Sequence, residues 1–178
     1  ASFAFTGDWT FETWIRTTQT TEGLFFCNYP SGSSAFNAFK YVSGRINIAF
    51  TSGSVDVAQT TGQVINDGEW HWVVIDRYNN NVKIYVDGVE VKTQAFSENS
   101  TDLGTWVIGQ HGNYTSGYIQ AFADYFGMRA VNGASVYSNA SSLTIPTEAP
   151  GIHSSGTTEV LMGTGQPYID NFSTAQTT

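Results

Sequence analysis

Between residues 67 and 96 the chain reads DGEWHWVVIDRYNNNVKIYVDGVEVKTQAF, and its Asp87-Gly88 pair constrains the fold more than any other two residues. A two-residue type I′ turn needs φ > 0 at both central positions, and Asp-Gly between alternating apolar runs supplies it. With that loop Val86 faces Val89, Ile84 faces Val91 and Val82 faces Thr93, so one face of the hairpin is β-branched. Asn79-Asn80 reads as the preceding turn, because Asn enters the left-handed region more readily than other non-glycine residues. Its register sets Ile75 against Ile84, Val73 against Val86 and Asp76 against Lys83. The two turns agree on which face is apolar, and slipping either by one residue would bury Lys83 or Glu90, so a three-stranded antiparallel meander is predicted. The reverse face carries Trp70, Trp72, Val74 and Tyr85. A patch of that size is either covered by loops or another strand, or open to a ligand.

Alternation also dominates the rest of the chain. Residues 9–16, WTFETWIR, put aromatics on both faces and read as an interior strand. Strands are expected at 24–27, 36–42, 45–51 and 55–58, with Ser43-Gly44 and Ser52-Gly53 as turns and 29–34 as a loop. After the meander come a polar loop at 97–103, a strand at 105–109, a loop at 110–116 and a long strand from 118 to 129. The Ser- and Asn-rich stretch 132–142 should wrap the surface. Turn signals about every ten residues are the pattern of sandwiches and jelly rolls. With 178 residues and 15% aromatics, the expected fold is one large all-β domain, an antiparallel two-sheet β-sandwich of jelly-roll type.

Charge and cysteine content narrow the function. A net charge of −8, with seven Lys plus Arg scattered along the chain, cannot build a phosphate-tracking surface, so nucleic acid is not an expected partner. Cys27, the single cysteine, lies in the apolar run GLFFCN and reads as a buried thiol. A lone cysteine is compatible with an extracellular protein that relies on its core rather than on disulfides. The sequence shows no signal-peptide pattern, and Ala1 reads as the start of a mature or excerpted chain. No apolar run approaches the ~20 residues that span a bilayer, so membrane insertion is not expected.

Three segments then resemble, in order, the laminin G-like, concanavalin A-like sandwich family. These are DWTFETWIRT at 8–17, with its Phe-acidic-Trp strand; GEWHWVVIDRYNNNVKIYVDGVEV, with its Trp-His strand and Tyr-x-Asp-Gly hairpin; and the closing strand GYIQAFADYFGMRAV at 117–131. Gln120 and Ala121 stand where that family often has Asp. The resemblance implies the sandwich and leaves function open, since this fold hosts sugar binders, glycosidases and structural repeats.

Enzyme chemistry finds little support in the residues. The glucanases of similar fold carry Glu-x-Asp-x-x-Glu on one strand, whereas every glutamate here is isolated. His71, His111 and His153 lack metal-ligand spacing, and no G-x-S-x-G elbow occurs. His71 reads as a partly buried structural histidine. No cofactor is expected beyond the single rim calcium that the resemblance implies, for which Asp102 and Asp124 are the candidate ligands.

For sugar binding, Tyr29, Tyr114 and Tyr118 could offer ring faces, with His111 and Asn113, and with Asn28 and Gln110, as polar partners. Asn99, Asn113, Asn139 and Asn171 open N-glycosylation sequons. The tail TEVLMGTGQPYIDNFS is similar to the segment that opens the next unit in repeat-bearing relatives from phage and other virion proteins. The expected division is a sandwich at 1–143, a Pro/Gly/Ser linker or strap at 144–157, and a C-terminal strand at 158–178 completing its own or a neighbouring domain. Val160, Leu161 and Met162 would be the assembly strand. Strand addition to an open edge, repeated head to tail, builds a filament. The first expectation is therefore a non-enzymatic structural or adhesive module of an extracellular or virion fibre, whose partners are copies of itself or neighbouring repeats. A lectin-like module acting on cell-surface glycans is the alternative.

Overall fold

The computed structural model describes residues 3–28, 36–51, 58–62, 65–109, 123–148 and 150–161. Those residues form strands and turns with no helix. In chain order the strands are β1 (Trp9–Thr17), β2 (Gly23–Asn28), β3 (Phe36–Val42), β4 (Arg45–Thr51), β5 (Ala58–Gln59), β6 (Trp70–Tyr78), β7 (Asn81–Val86), β8 (Val89–Ala95), β9 (Val107–Ile108), β10 (Ala123–Asn132) and β11 (Thr157–Leu161). They build a six-stranded sheet, β11-β10-β1-β6-β7-β8, packed on a five-stranded sheet, β5-β4-β3-β2-β9. All pairings are antiparallel, giving the expected two-sheet sandwich.

The meander forms as its turns dictate. Asn79, Asn80, Asp87 and Gly88 have φ of 49°, 59°, 51° and 79°, the left-handed pairs that two-residue hairpins require. Between β6 and β7 the register is Val73↔Val86, Ile75↔Ile84 and Asp76↔Lys83, as read from the sequence. Between β7 and β8 it departs. Val86 does face Val89, but Ile84 faces Lys92 and Val82 faces Gln94, because a bulge at Val91 interrupts the ladder. β8 is an edge strand, and a bulge there twists the edge and spoils it as a template for another chain.

Each sheet contributes its inward residues to an aromatic core. Trp9, Phe11 and Ile15 of β1 meet Phe25, Phe26, Phe39 and Phe50 from the facing sheet, with Phe5, Phe96 and Trp106 closing the ends. Phe11 stacks on Phe39 and Phe26 on Trp106, each with centroids 4.6 Å apart. Contacts of this kind add about 0.5–1.5 kcal/mol apiece beyond the area they bury.

The outer face of the six-stranded sheet is covered. Trp14, Trp72, Val74 and Tyr85 form a second buried cluster, overlaid by Tyr137 and Leu143 from the 133–148 strap. Asp76 fixes that strap: fully buried, it accepts from Thr10 Oγ1 at 2.6 Å, from Ser135 Oγ at 2.7 Å and from the Asn139 N–H at 3.0 Å. Tyr85 donates its hydroxyl to Ala140 O at 2.6 Å, and the Leu143 N–H donates to Gly88 O at 2.8 Å. A Cβ at Gly88 would lie 2.2 Å from Leu143 O, so only glycine admits the strap this close to the turn. Nearby, Arg129 donates to the buried Glu12, and the Tyr137 hydroxyl donates to Glu12 Oε2 at 2.7 Å. Burial raises the Glu12 pKa, opposed by the Arg129 charge and the Tyr137 hydrogen bond.

Beyond the strap the chain returns as β11, which pairs with the same chain's β10 through Arg129↔Leu161, Ala130↔Val160, Val131↔Thr158 and Asn132↔Thr157.

Candidate functional site

β1 is central to the six-stranded sheet, so its last residues meet partners on both sides. The register sets Arg16 against Trp70 of β6 and against Asp124 of β10. Three residues far apart in sequence thereby share the outer face at one pole of the sandwich, at the margin of the strap-covered patch. Arg16 Nε and Nη2 donate to Asp124 Oδ2 at 3.0 and 2.7 Å. The guanidinium carbon lies 5.2 Å from the Trp70 ring centroid, a cation–π arrangement. Asp124 is 59% exposed and Arg16 30%.

Beside this trio opens a groove of about 320 Å³ lined by Arg16, Thr17, Thr18, Gly68, Ala123 and Asp124. Gly68 shapes its wall: it has φ of +90°, its N–H donates to Thr17 O at 3.1 Å, and a Cβ there would come within 3.1 Å of Thr18 Cγ2. Next to Gly68, Asp67 Oδ1 accepts from the Glu69 N–H at 2.9 Å and lies 3.0 Å from His71 Nε2. Those contacts hold the Asp67 carboxyl below its usual range, the Glu69 N–H contributing most. His71 Nδ1 lies 2.7 Å from Asp87 Oδ2. The Asp87 hydrogen bond, opposed by burial and aided by Asp67, pushes the His71 pKa up to about 9. His71 is therefore a charged clamp between two carboxylates at neutral pH, not a general base.

The groove joins a guanidinium, a solvent-facing carboxylate and the exposed Thr18 hydroxyl, with the Trp70 indole beside it, packed on the buried cluster and covered by Arg16. Such a set can exchange hydrogen bonds with a polyhydroxylated ligand. The buried carboxylates of the same sheet face do not reach it, since Glu12 is 2% and Asp76 0% exposed beneath the strap.

The residues singled out in the sequence fall in several places. Tyr29, His111, Asn113, Tyr114 and Tyr118 lie outside the described residues, as does Gln110. The positions flanking residues 110–122, Gly109 and Ala123, both stand at the groove's pole, where the Gly109 N–H donates to Phe25 O and Tyr125 OH donates to Leu24 O. Asn28 is fully buried at the opposite pole, accepting from Asn37 Nδ2 at 2.6 Å, and is closed to a sugar.

The two carboxylates read as calcium ligands are not brought together. Asp124 pairs with Arg16, whereas Asp102 Oδ1 accepts the Gly104 N–H at the other pole. Among the described residues no group of three or more His, Cys, Asp or Glu side chains is placed to hold a metal.

Of the sequons, Asn113 and Asn171 lie outside the described residues. Asn99 is exposed, and its Oδ1 accepts from Gly7 N–H and Arg77 Nη1. Asn139 instead spends its Nδ2 on Tyr78 O and Asn81 O. Val160 and Leu161 stand in β11, with Val160 packed against the core, and Met162 lies outside the described residues. Sequence reasoning did not single out Arg16. Its signal is the long-range register of β1 with β6 and β10, which no local pattern carries.

A family model described as the concanavalin A-like lectin/glucanases superfamily matches residues 1–136. Among curated proteins, the chain is 30% identical over 92 residues to the Fat-like cadherin-related tumor suppressor homolog of Drosophila melanogaster, covering 51% of this chain and 2% of that protein. Among solved structures, it resembles a Bacteroides ovatus protein described as a candidate carbohydrate binding protein, with a TM-score of 0.63 and 12% identity over 89% of this chain and 46% of that one. It also resembles domains LG4-5 of the mouse laminin alpha1 chain, with a TM-score of 0.54 and 17% identity over 81% of this chain and 42% of that one. A third likeness is the heptameric SAP-like pentraxin of Limulus polyphemus, with a TM-score of 0.53 and 16% identity over 79% and 70% of the two chains. At these identities the structural likenesses speak for the fold alone.

Proposed function

The chain belongs to the concanavalin A-like lectin/glucanases superfamily, and we propose that it is a non-enzymatic extracellular binding module that holds a saccharide in the groove lined by Arg16, Thr18 and Asp124. The observation that carries this reading is the groove itself. It is an open rim depression in which a carboxylate and a guanidinium stand side by side, while the centre of the same sheet face is closed by the strap. The similar Bacteroides ovatus structure, described as a candidate carbohydrate binding protein, makes saccharides the ligand class to test first, and the laminin and cadherin-related likenesses favour an extracellular setting. A binding role is put ahead of a catalytic one because Glu12 and Asp76 are buried and spoken for by Arg129, Tyr137, Thr10 and Ser135. It is put ahead of fibre building because β11 lies along its own chain's β10, where strand exchange would require it to leave.

The test is a glycan array followed by calorimetric titration of any hit with the parent chain, Arg16→Ala and Asp124→Ala. A saturable ligand whose affinity falls about tenfold in each variant, with melting curves showing that each is folded, is the expected outcome; losing a charge-assisted hydrogen bond is worth roughly that. Binding indifferent to both substitutions would place the site elsewhere.

A further inference from the structure

The Lys and Arg side chains of this protein are few enough to be followed one by one, and all seven lie among the described residues; His71, held between Asp67 and Asp87, is a further cationic group near the groove. Arg129 is held by the buried Glu12. Arg77 is enclosed at the far pole by Phe96 O, Ser97 O, Asn80 Oδ1 and Asn99 Oδ1. Lys83 pairs with Glu90 at 2.8 Å, Lys40 with Glu22 at 2.9 Å, and Arg16 with Asp124 at 2.7 Å. Arg45 and Lys92 have no ion-pair partner among the described residues. They stand apart, at the start of β4 in the five-stranded sheet and within β8 at the distant edge of the six-stranded sheet.

Among the described residues that line the groove, then, the one Lys or Arg, Arg16, is already paired. The flank at Gly68 adds Asp67 and Glu69, both exposed and both acidic. A sulfate or carboxylate entering here would have to displace Asp124 from Arg16 and approach Glu69 and the Asp67–His71–Asp87 group, in which carboxylates outnumber the one imidazolium, so like-charge repulsion opposes it. Hydroxyl groups meet no such barrier. Both bonds that Arg16 gives Asp124 land on Oδ2, which leaves Oδ1 to accept from a ligand hydroxyl.

We infer that the groove selects uncharged saccharides and discriminates against sulfated and carboxylated ones. The inference rests on the saccharide-binding reading above and adds the charge class of the ligand to it.

The experiment compares the parent chain, Asp124→Ala and the near-isosteric Asp124→Asn on matched sets of neutral, sulfated and uronic- or sialic-acid-containing oligosaccharides at low ionic strength. In the parent chain, neutral glycans should bind and their anionic counterparts bind at least about tenfold more weakly, even without salt to mask attraction. Removing the Asp124 charge should weaken the neutral ligand about tenfold and bring anionic glycans up by a similar factor, because it takes away the carboxylate that competes for Arg16. Melting curves verify that each variant is folded, and the Asn variant serves if the Ala variant is not. Parent-chain binding of anionic glycans as tight as neutral ones, lost in Arg16→Ala, would overturn the charge selection and leave the saccharide site intact. Neutral binding unaffected by either Asp124 variant would overturn it as well. Absence of binding to every saccharide would overturn the underlying reading, and the inference with it.

Discussion

Replacing His71 by Gln should remove a pH-dependent part of the fold's stability. One ring nitrogen lies 2.7 Å from Asp87 Oδ2 and the other 3.0 Å from Asp67 Oδ1, and only the imidazolium can donate to both. The folded-state pKa is raised to about 9 from 6.5, with the Asp87 hydrogen bond as the largest cause. A raised histidine pKa stabilises the fold fully below the unfolded value, and that contribution declines as pH climbs through the folded one. Linkage gives an upper figure of about 2.5 kcal/mol near neutral pH. Asp67 is 60% exposed, so solvent screens its share, and about 1–2 kcal/mol is the working expectation. Urea unfolding at about pH 7, 8.5 and 10 measures it, because the difference between parent and variant isolates His71 from the other groups that titrate there. The parent should be the more stable at neutral pH by that amount, with the gap closing by about pH 10. Asp87→Asn should fall between them. Asn adopts the turn's φ of 51° and can still accept the Trp72 N–H, but it lacks the charge. Parallel pH profiles for parent and His71→Gln would refute the clamp.

Two further outcomes are expected. Asp76→Ala should cost about 3–5 kcal/mol, since it strands the Thr10, Ser135 and Asn139 donors, and should loosen the strap, read as faster amide exchange at 136–140 in the native protein. Expressed through a glycosylating secretory pathway, Asn99 should carry glycan and Asn139 should not, because the Asn139 Nδ2 is committed to two backbone carbonyls; peptide mapping after enzymatic deglycosylation reads both.

The meander was legible because its information is local. Asn79-Asn80 and Asp87-Gly88 fix two turns, and the alternation of Val73, Ile75, Val82, Ile84 and Val86 fixes which face turns inward. The bulge at Val91 was not legible, since nothing near it distinguishes a regular edge strand from a bulged one. The covering of the reverse face was open at the level of sequence, and it is settled by a Ser- and Asn-rich stretch that reads as ordinary loop. What makes that stretch a lid is Asp76, whose partner Ser135 is 59 residues away. The glutamates are isolated along the chain, yet Glu12 meets Arg129 across 117 residues. Arg16 and Asp124, 108 residues apart, needed β1 to be inserted between β6 and β10, an order that hydrophobic pattern does not encode.

The buried polar residues explain why binding is expected at a pole rather than on a sheet face. Leu or Met at Glu12 and Arg129 could pack as well as the ion pair does, so its presence is weak grounds for added stability. Its geometry, however, ties β1, β10 and Tyr137 of the strap at one point, and Asp76 ties β1, β6 and the strap at another. Two such anchors hold the strap in one position, and an apolar cover alone would slide over Trp72 and Tyr85 at little cost. With the strap fixed, the broad face that could otherwise receive a chain of sugars is occupied by the protein's own residues. Trp70, Phe126 and Tyr137 are only partly open around its margin, and the groove that Arg16 and Asp124 line lies beside them. A ligand at that margin contacts one or two rings' worth of surface rather than a long cleft, so a short or terminal saccharide unit suits this site better than the interior of a polymer.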